Sequence, residues 1–312
     1  MKPLRVGITE KNRNPYWDMV NAGWRDAADR LALDLAIDAP THEDVDAQVA
    51  MMRAQLNSGV DALAFVATRV DAFDEIVSEA TGRGVPVVAF DLDAPRSGRL
   101  CFVGMETPER AGRRVGEQMA ALVGPGATVI VQTGSAKAPG AVGKRTGFHA
   151  VMAEHGIRVV DAPSDGEDAV CAFETARELL DRNPETTGMF GVYGYHPIVQ
   201  ARAVEALGRR GRVAVVGFDM LPETVALLAD GAVAASTWIQ EYYFGFYAAA
   251  AISDLVRLGV PEALTLRGMD PDERAGNVFV LPSVTYTPET VGQFKTWFER
   301  VDLAPRTAPT LT

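Results

Sequence analysis

The sequence contains little cysteine and histidine, which limits the bonded or metal-held frameworks it could form. Only two cysteines occur among 312 residues, Cys101 and Cys171, and they lie 70 positions apart. This number and spacing indicate neither a disulfide framework nor a zinc site, so we expect two buried free thiols. No metal-ligand spacing is found among the four histidines, and no metal site is predicted. They are His42, His149, His155 and His196.

Long apolar runs and dense basic stretches are also missing. No apolar run approaches the roughly 18 residues that a membrane span needs. The formal net charge is -11 and Lys and Arg are not clustered, which argues against nucleic acid or an anionic membrane surface as a partner. The chain leads directly into the strand-like segment Val6–Ile8, without the apolar core of a secretory signal. We therefore expect either a cytoplasmic protein, or a periplasmic or extracellular one whose signal has been removed.

Motifs of cofactor-dependent and hydrolytic enzymes are absent. Thr9–Asn12 follows the first predicted strand where a dinucleotide-binding protein has its glycine-rich turn, so no such cofactor is expected. The sequence has no phosphate-binding loop ending in Lys-Ser or Lys-Thr and no Gly-x-Ser-x-Gly turn. Ser135 follows Gly134 but has no assignable base. These absences predict a protein without a cofactor and without covalent chemistry.

Two apolar segments of similar composition each end on an aspartate. Val87–Asp91 reads Val-Val-Ala-Phe-Asp, and Val215–Asp219 reads Val-Val-Gly-Phe-Asp, 128 residues later. Such uninterrupted apolar runs are typical of strands buried on both faces. In open α/β sheets ligands bind outside the carboxyl ends of the strands, so Asp91 and Asp219 are predicted to face a binding site.

Short apolar strands alternate with amphipathic helices along most of the chain, which is typical of βαβ units with parallel sheets. Three strands of the first half match three of the second half at offsets of 124, 126 and 128 residues. This nearly constant offset predicts an α/β fold of two similar, Rossmann-like lobes with parallel sheets. Near the C terminus the pattern predicts a polar loop over 267–276, one strand over 278–286, a helix over 288–300 and an extended or frayed tail.

Three segments carry a resemblance to a known family. They are Asn14-Pro15-Tyr16-Trp17 after the first strand, Gly84–Asp91, and Val216–Asp219. In this order and spacing they resemble the ribose-binding-protein family, which comprises the type I periplasmic sugar-binding proteins of ABC importers and is related to the LacI-type repressor core. The resemblance covers roughly residues 4–290.

The resemblance implies two lobes joined by a three-segment hinge, with a sugar clamped between them. The hinge crossings are expected near Gly104–Thr107, Trp238–Gln240 and Val280–Thr285. The N-terminal lobe would then comprise residues 1–106 and 240–279, and the C-terminal lobe residues 107–239 and 280–312.

The resemblance also implies a set of ligand-binding residues. Tyr16 and Trp17 fit the family's aromatic residues that stack on the sugar, and Asp91 and Asp219 fit the aspartates that bind hydroxyl groups. The expected ligand-binding residues are Asn14, Tyr16, Trp17, Asp91, Asp93, Lys144, Arg145, Glu167, Tyr193, Asp219 and Gln240.

At several of these positions the sequence departs from the family pattern. Leu92 stands where the family often has arginine, Tyr193-Gly194 where it often has Asn-Asp, and Glu167 where it often has an aromatic residue. The family arginine before a Gly-Phe pair corresponds to Lys144 or Arg145. These departures imply a ligand other than ribose itself.

The expected residue types suit a neutral sugar or polyol. An ionised carboxylate accepts hydrogen bonds from two adjacent hydroxyl groups, and aromatic rings supply flat apolar walls. An anionic ligand would require more basic groups than Lys144 and Arg145. Other interpretations stay open: Asp91 and Asp219 could cap the following helices, and Trp17 could belong to the core.

We therefore predict a solute-binding protein that captures a neutral sugar or polyol by hinge closure and delivers it to the membrane permease of an ABC transporter. The family is usually monomeric, and a monomer is expected. The alternatives are a sugar-sensing subunit of the same fold that feeds a signalling protein, a repressor core without its DNA-binding headpiece, and a sugar-active enzyme. Nothing before Leu4 reads as a helix-turn-helix.

Overall fold

The structure is a computed structural model, and it describes residues 2–13, 16–272 and 274–301. Within these residues the chain forms twelve strands and eleven α-helices, with the strands arranged in two six-stranded sheets. In chain order the elements are β1 (Leu4–Thr9), α1 (Tyr16–Leu31), β2 (Leu33–Asp38), α2 (Val45–Asn57), β3 (Ala62–Phe65), α3 (Asp74–Gly82), β4 (Val87–Phe90), β5 (Cys101–Met105), α4 (Pro108–Val123), β6 (Thr128–Gln132), α5 (Pro139–Glu154), β7 (Arg158–Asp161), α6 (Ala169–Arg182), β8 (Thr186–Gly191), α7 (His196–Ala206), β9 (Ala214–Phe218), α8 (Pro222–Ala229), β10 (Ala235–Trp238), α9 (Glu241–Arg257), α10 (Val260–Leu266), β11 (Val278–Leu281), β12 (Val284–Tyr286) and α11 (Val291–Phe298), with a short 3-10 helix at Arg274–Gly276.

The first unit comprises the chain up to Met105 together with Gln240–Leu281. Its six strands all run parallel, in the order β11-β5-β4-β3-β1-β2. The central strands β3 and β4 are completely buried, as expected for a parallel sheet covered by helices on both faces. Trp24 of α1 meets Phe90 of β4 edge-on, with 5.5 Å between the ring centroids. The apolar face of α1 therefore covers the strand that leads into Asp91.

The second unit comprises Glu106–Ile239 and Pro282–Arg300. Its strand order is β12-β10-β9-β8-β6-β7, and β12 is antiparallel to β10 while the other pairs are parallel. Phe148 of α5 stacks on Phe190 of β8, with 4.2 Å between the ring centroids. The predicted α/β fold of two lobes with parallel sheets is confirmed.

The polypeptide crosses between the units, so each unit is assembled from separate stretches of sequence. In the first unit, α9 and β11 come from the later stretch, and in the second unit β12 and α11 do. The crossings lie between Met105 and Glu106, between Ile239 and Gln240, and between Leu281 and Pro282.

The last of these crossings overturns the prediction of one strand over 278–286. β11 pairs in parallel with β5 of the first unit, whereas β12 pairs antiparallel with β10 of the second. Pro282 separates the two strands and has no N–H to donate to a ladder, so it marks the break. A single strand-like segment of the sequence therefore contributes to two strands of different sheets.

Two other features differ from the sequence-based expectations. Helix α10 was not predicted, although Pro261 occupies its first turn and Leu264 is buried. Cys101 is buried as expected, and burial raises the pKa of its thiol to about 11. The same expectation is wrong for Cys171, which is exposed because it lies on the solvent-facing first turn of α6.

Each unit contains a pair of helices that approach closely enough to require glycine at the contact. In the first unit, a Cβ added to Gly23 of α1 would lie 1.8 Å from the carbonyl oxygen of Tyr242 in α9. In the second, a Cβ added to Gly112 of α4 would lie 2.0 Å from the carbonyl oxygen of Lys144 in α5. The second contact fixes the backbone of α5 at the residue that carries a predicted ligand-binding ammonium group.

A glycine substitution at this helix pair tests whether the close approach is essential. In Gly147→Ala the new methyl group would lie 1.9 Å from the carbonyl oxygen of Glu109, so α4 and α5 must move apart. We expect the free energy of unfolding to fall by about 1–3 kcal/mol or more, measured by urea denaturation. Gly140→Ala in the same helix is the control, because no atom lies within 4 Å of its added Cβ. Equal denaturation midpoints for the two variants would contradict the prediction.

Candidate functional site

Polar side chains gather at the carboxyl edge of each sheet, the edge at which its parallel strands end. In the first unit Glu10 follows β1 and Asp91 follows β4. In the second unit Tyr193 lies just beyond β8, and Asp219 follows β9. Ligands of open α/β sheets bind at this edge, so the carboxyl edge of each unit is a candidate binding surface.

Asp91 and Asp219 share one backbone conformation. The N–H of Asp91 donates to the carbonyl oxygen of Val103 at 2.9 Å, and that of Asp219 donates to Thr237 at 3.0 Å, so each adds a last bond to the neighbouring strand. Both residues then turn into the left-handed region, with φ of 60° and 68°, where Asp and Asn are tolerated better than most residues. The N-cap positions of the next helices along the chain, α4 and α8, are occupied by Thr107 and Leu221. The interpretation of these aspartates as helix caps is therefore wrong.

In the first unit, Tyr16 and Trp17 of α1 lie beside Asp91. The hydroxyl group of Tyr16 donates to Asp91 Oδ1 at 2.7 Å. The rings of Tyr16 and Trp17 meet edge-on, with centroids 4.9 Å apart. Trp17 is only 2% exposed, and its indole N–H donates to Asn12 Oδ1 at 3.2 Å. Tyr16 thus forms a partly exposed rim next to the carboxylate, while Trp17 packs behind it.

Glu10 adds a buried carboxyl group to this edge. Its side chain is 4% exposed, and its Oε1 has no hydrogen-bond partner among the described residues. Burial raises the pKa of Glu10 to about 8; a hydrogen bond with Asn21 opposes the rise, the charges of Asp18 and Asp91 add to it, and Arg25 opposes it. Near neutral pH most Glu10 side chains are therefore protonated and able to donate a hydrogen bond beside Asp91.

In the second unit, Lys144 lies over Phe218 and next to Asp219. The Lys144 Nζ is 3.9 Å from the centre of the Phe218 ring, within the range of a cation–π interaction. Burial raises the pKa of Asp219, and the positive charge of Lys144 opposes this rise. The loop after β8 also reaches the carboxylate, since a Cβ added to Gly194 would lie 2.6 Å from Asp219 Oδ2.

Tyr193 and Glu167 form a second polar group at the same edge. Burial raises the pKa of Tyr193, and the negative charge of Glu167 raises it further. The phenol therefore stays protonated beside the carboxylate. Glu167 is exposed and has a left-handed backbone, with φ of 65°. A Cβ on Gly134 would lie 2.8 Å from Glu167 Cγ and 3.3 Å from Tyr193 Cε2, so the glycine leaves room for both side chains.

A group of three side chains, the buried Asp165 and His196 and the partly buried Tyr195, supports Tyr193 and Glu167 from behind. Nε2 of His196 lies 2.8 Å from Asp165 Oδ2, and His196 Nδ1 accepts the backbone N–H of Tyr193 at 3.0 Å. The hydroxyl group of Tyr195 donates to Asp165 Oδ1. His196 and the Asp165 carboxylate are almost completely shielded from solvent.

Two of the predicted site residues are engaged by other partners. Both carboxylate oxygens of Asp93 accept hydrogen bonds from the buried guanidinium group of Arg99, at 2.5 and 2.6 Å. Arg145 forms an ion pair with Asp161 at 3.2 Å. Of the two neighbouring basic residues on α5, Lys144 is therefore the one that lies beside the strand-end aspartate.

The remaining predicted residues are Gln240 and Asn14, and three further residues were missed. Gln240 precedes α9 in a left-handed conformation, with φ of 66°, and Asn14 lies outside the described residues. Sequence reasoning missed Glu10, although its position directly after β1 was a usable signal. It also missed Asp165 and His196, which lie 31 positions apart and carry no common pattern.

The chemical groups at both edges are carboxylates, a neutral carboxylic acid, an ammonium group and phenols. Such groups bind hydroxyl-rich molecules through hydrogen bonds. Within the described part of the chain, no group of three or more His, Cys, Asp or Glu is placed to hold a metal ion. Over the same residues, no helix has the length and apolar character needed to cross a membrane.

Comparison with known proteins identifies the family. The family model for the periplasmic binding protein domain matches residues 8–259, which is most of the chain. The protein therefore belongs to the periplasmic binding protein family. The resemblance to type I periplasmic sugar-binding proteins noted from the sequence is confirmed.

Relatives of the chain carry names that describe sugar binding. It is 27% identical over 226 residues, 70% of each chain, to the D-ribose/D-allose-binding protein of Pseudomonas aeruginosa. GanP, a glucose-galactose binding protein from Geobacillus stearothermophilus, superposes with a TM-score of 0.72 at 26% identity, covering 93% of this chain and 99% of that one. An ABC transporter periplasmic solute binding protein from Actinobacillus succinogenes, with bound D-allose, has a TM-score of 0.78 at 20% identity over 94% and 100% of the two chains. This last likeness shows the fold alone.

The Glu10 carboxyl group predicts a pH dependence of stability. Its folded-state pKa of about 8 lies above the ordinary value of 4.5, so the folded protein keeps a proton that the unfolded chain releases. This contribution to stability is complete below the ordinary value and is lost as the pH rises through the folded value, by up to about 1.4 kcal/mol per pH unit. In Glu10→Gln we expect a smaller loss of unfolding free energy between about pH 5 and 8 than in the wild type.

The measurement is urea denaturation at several pH values across this range. Glu174→Gln, on the exposed face of α6, is the matched control and should keep the wild-type pH dependence. If Glu10→Gln lost stability as steeply as the wild type, the assignment of the titrating group to Glu10 would be wrong.

Proposed function

We propose that this protein is the sugar-binding component of an ABC import system. It takes a neutral sugar or polyol between its two units, closes over it by a hinge movement and presents the closed complex to a membrane permease. It works as a monomer in the periplasm or outside the cell, and it carries out no covalent chemistry.

The observation that carries this proposal is the matched pair of strand-end aspartates. Asp91 and Asp219 end equivalent strands of the two units in the same left-handed conformation. A carboxylate accepts two hydrogen bonds from adjacent hydroxyl groups. With one such residue in each unit, each unit can bind hydroxyl groups of a polyol. Left-handed residues other than glycine are uncommon, and they cluster at binding and active sites.

The charge at the two edges favours a neutral ligand over an anionic one. Asp91, Asp219 and Glu167 are acidic, and Lys144 lies beside Asp219, whereas Arg145 is paired with Asp161. An anion would meet more negative than positive charge at these edges. The sugars in the names of the relatives, D-ribose, D-allose, glucose and galactose, are all neutral.

Glu10 and Tyr16 extend the hydrogen-bonding range of the first unit. A protonated Glu10 can donate a hydrogen bond to one sugar hydroxyl group, and the Asp91 carboxylate can accept a hydrogen bond from another. The partly exposed Tyr16 ring supplies apolar surface for the C–H face of a sugar. Direct contact of these residues with the ligand is part of the proposal.

A thermal-shift screen tests the ligand class. The panel contains D-ribose, D-allose, D-xylose, D-arabinose, D-glucose, D-galactose, erythritol, myo-inositol, L-glutamate and inorganic phosphate. A ligand present at 100 times its dissociation constant stabilises the folded state by about 2.7 kcal/mol, so a specific sugar should raise the melting temperature clearly. Stabilisation by L-glutamate or phosphate alone would overturn the neutral-sugar proposal.

The strand-end aspartates are then tested with the sugar that gives the largest shift. Asp91→Asn and Asp219→Asn keep a residue that tolerates the left-handed backbone but remove the charge. Because a hydrogen bond to a charged group is worth about 1.5–3 kcal/mol, each variant should bind roughly 10- to 100-fold more weakly in isothermal titration calorimetry. Asp181→Asn, exposed on α6, is the control. Wild-type affinity in both strand-end variants would refute their proposed role.

Hinge closure predicts a more compact protein with sugar bound. Small-angle X-ray scattering should give a smaller radius of gyration when the same sugar is added at saturation. Asp219→Asn at a sugar concentration below its own dissociation constant should not change. An unchanged radius for the saturated wild type would contradict closure while leaving sugar binding itself intact.

A further inference from the structure

The buried pair Asp165–His196 of the second unit was assigned no role in the function proposed above. We propose that it is the positioning element of the sugar site: it holds the loops that carry Tyr193 and Glu167 in their binding arrangement, and ligand affinity depends on it. The inference rests on the proposed function, since it assigns these two residues a role at the same edge.

The hydrogen bonds of His196 fix the position of its proton. Nδ1 accepts the backbone N–H of Tyr193 at 3.0 Å and therefore carries no hydrogen. The proton of the neutral ring lies on Nε2, which donates to Asp165 Oδ2 at 2.8 Å. With both nitrogens engaged and the side chain fully buried, the imidazole ring joins the loop after β8 to the loop after β7.

Asp165 makes the matching contacts on the other side. Its Oδ1 accepts the backbone N–H of Glu167 at 3.0 Å and the hydroxyl group of Tyr195. Burial raises the pKa of Asp165, but hydrogen bonds from His196 and Tyr195 outweigh it and lower the pKa. The residue is therefore an ionised carboxylate whose two oxygens accept three hydrogen bonds from neighbouring groups.

The pair holds Tyr193 and Glu167, which lie at the carboxyl edge of the second unit's sheet. Tyr193 is held by its backbone N–H and Glu167 by its own, and their side chains interact with each other. Glu167 keeps a left-handed backbone with φ of 65°, a conformation unfavourable for glutamate. A hydrogen bond from its backbone to Asp165 explains why this conformation persists.

A buried polar pair of this kind fits a positioning role better than a packing role. Replacing a buried charged pair by apolar residues often leaves stability unchanged or improves it. Its specific effect is to select one arrangement of the groups bonded to it. Binding is tighter when the contact residues are already arranged before the ligand arrives, because less conformational freedom is lost.

The experiment compares three variants with a matched control. His196→Leu removes both hydrogen bonds of the imidazole ring, and His196→Asn keeps an acceptor near the position of Nδ1 for the Tyr193 N–H. Tyr195→Phe removes only one hydrogen bond to Asp165. This milder variant keeps the proposal testable if a His196 variant fails to fold. His155→Leu, on the exposed end of α5, is the control.

Two measurements are made on each protein. Amide hydrogen exchange at Tyr193 and Glu167, followed by NMR without ligand, reports whether the pair holds the two loops. Calorimetric titration with the sugar of the thermal-shift panel that stabilises the wild type most reports the affinity. We expect faster exchange and about tenfold weaker binding in His196→Leu, partial recovery of both in His196→Asn, a smaller loss in Tyr195→Phe and wild-type values in His155→Leu.

The outcomes separate this inference from the proposed function. Unchanged exchange at Tyr193 and Glu167 in His196→Leu and Tyr195→Phe would overturn the positioning role, whatever the sugar results. Faster exchange with unchanged affinity would overturn it too, because the loops would then be irrelevant to binding. Failure of the wild type to bind any sugar of the thermal-shift panel would instead overturn the proposed function, and the positioning role would fall with it.

Discussion

The arrangement of both units depends on a buried parallel strand that ends on a left-handed aspartate. The strand must be apolar because helices cover both of its faces, and its last ladder bond is made by the aspartate N–H. The phenylalanine before each aspartate anchors the neighbouring helix: Phe90 meets Trp24 of α1, and Phe218 lies under Lys144 of α5. The left-handed turn then ends the strand at the carboxyl edge. Core packing and the position of the carboxylate thus follow from the same short segment.

The two units share this strand-end aspartate but surround it with different chemical groups. In the first, an aromatic pair and a protonated carboxylic acid surround the aspartate, so the edge combines apolar surface with a hydrogen-bond donor. In the second, an ammonium group and a phenol–carboxylate pair take their place. Similar backbones therefore present two different sets of polar and aromatic groups, one at the carboxyl edge of each unit. The close contacts through Gly23 and Gly112 keep the helices of the two frames equally near their partners.

Sequence reasoning succeeded where a property is local. Strand periodicity located the ends of β4 and β9 and so the aspartates, because a buried parallel strand has a composition of its own. It failed where the property depends on partners distant in sequence. The strand-like composition on both sides of Pro282 could not show that β11 and β12 pair in different sheets. The raised pKa of Glu10 depends on burial by other elements, and the contact of Asp165 with His196 depends on how two separate loops fold. The site assignments drawn from the family resemblance stay predictions.

The crossings of the chain between the units also decide the order in which the molecule can be completed during synthesis. Tyr242 of α9 bonds to Asp26 of α1, 216 positions earlier in the chain. Until α9 leaves the ribosome, the face of α1 around Gly23 has no helix to cover it. The edge strands β11 and β12 follow later still. Neither unit can therefore finish folding as an independent nascent domain, and such long-range closure is slow and leaves apolar surface exposed to aggregation.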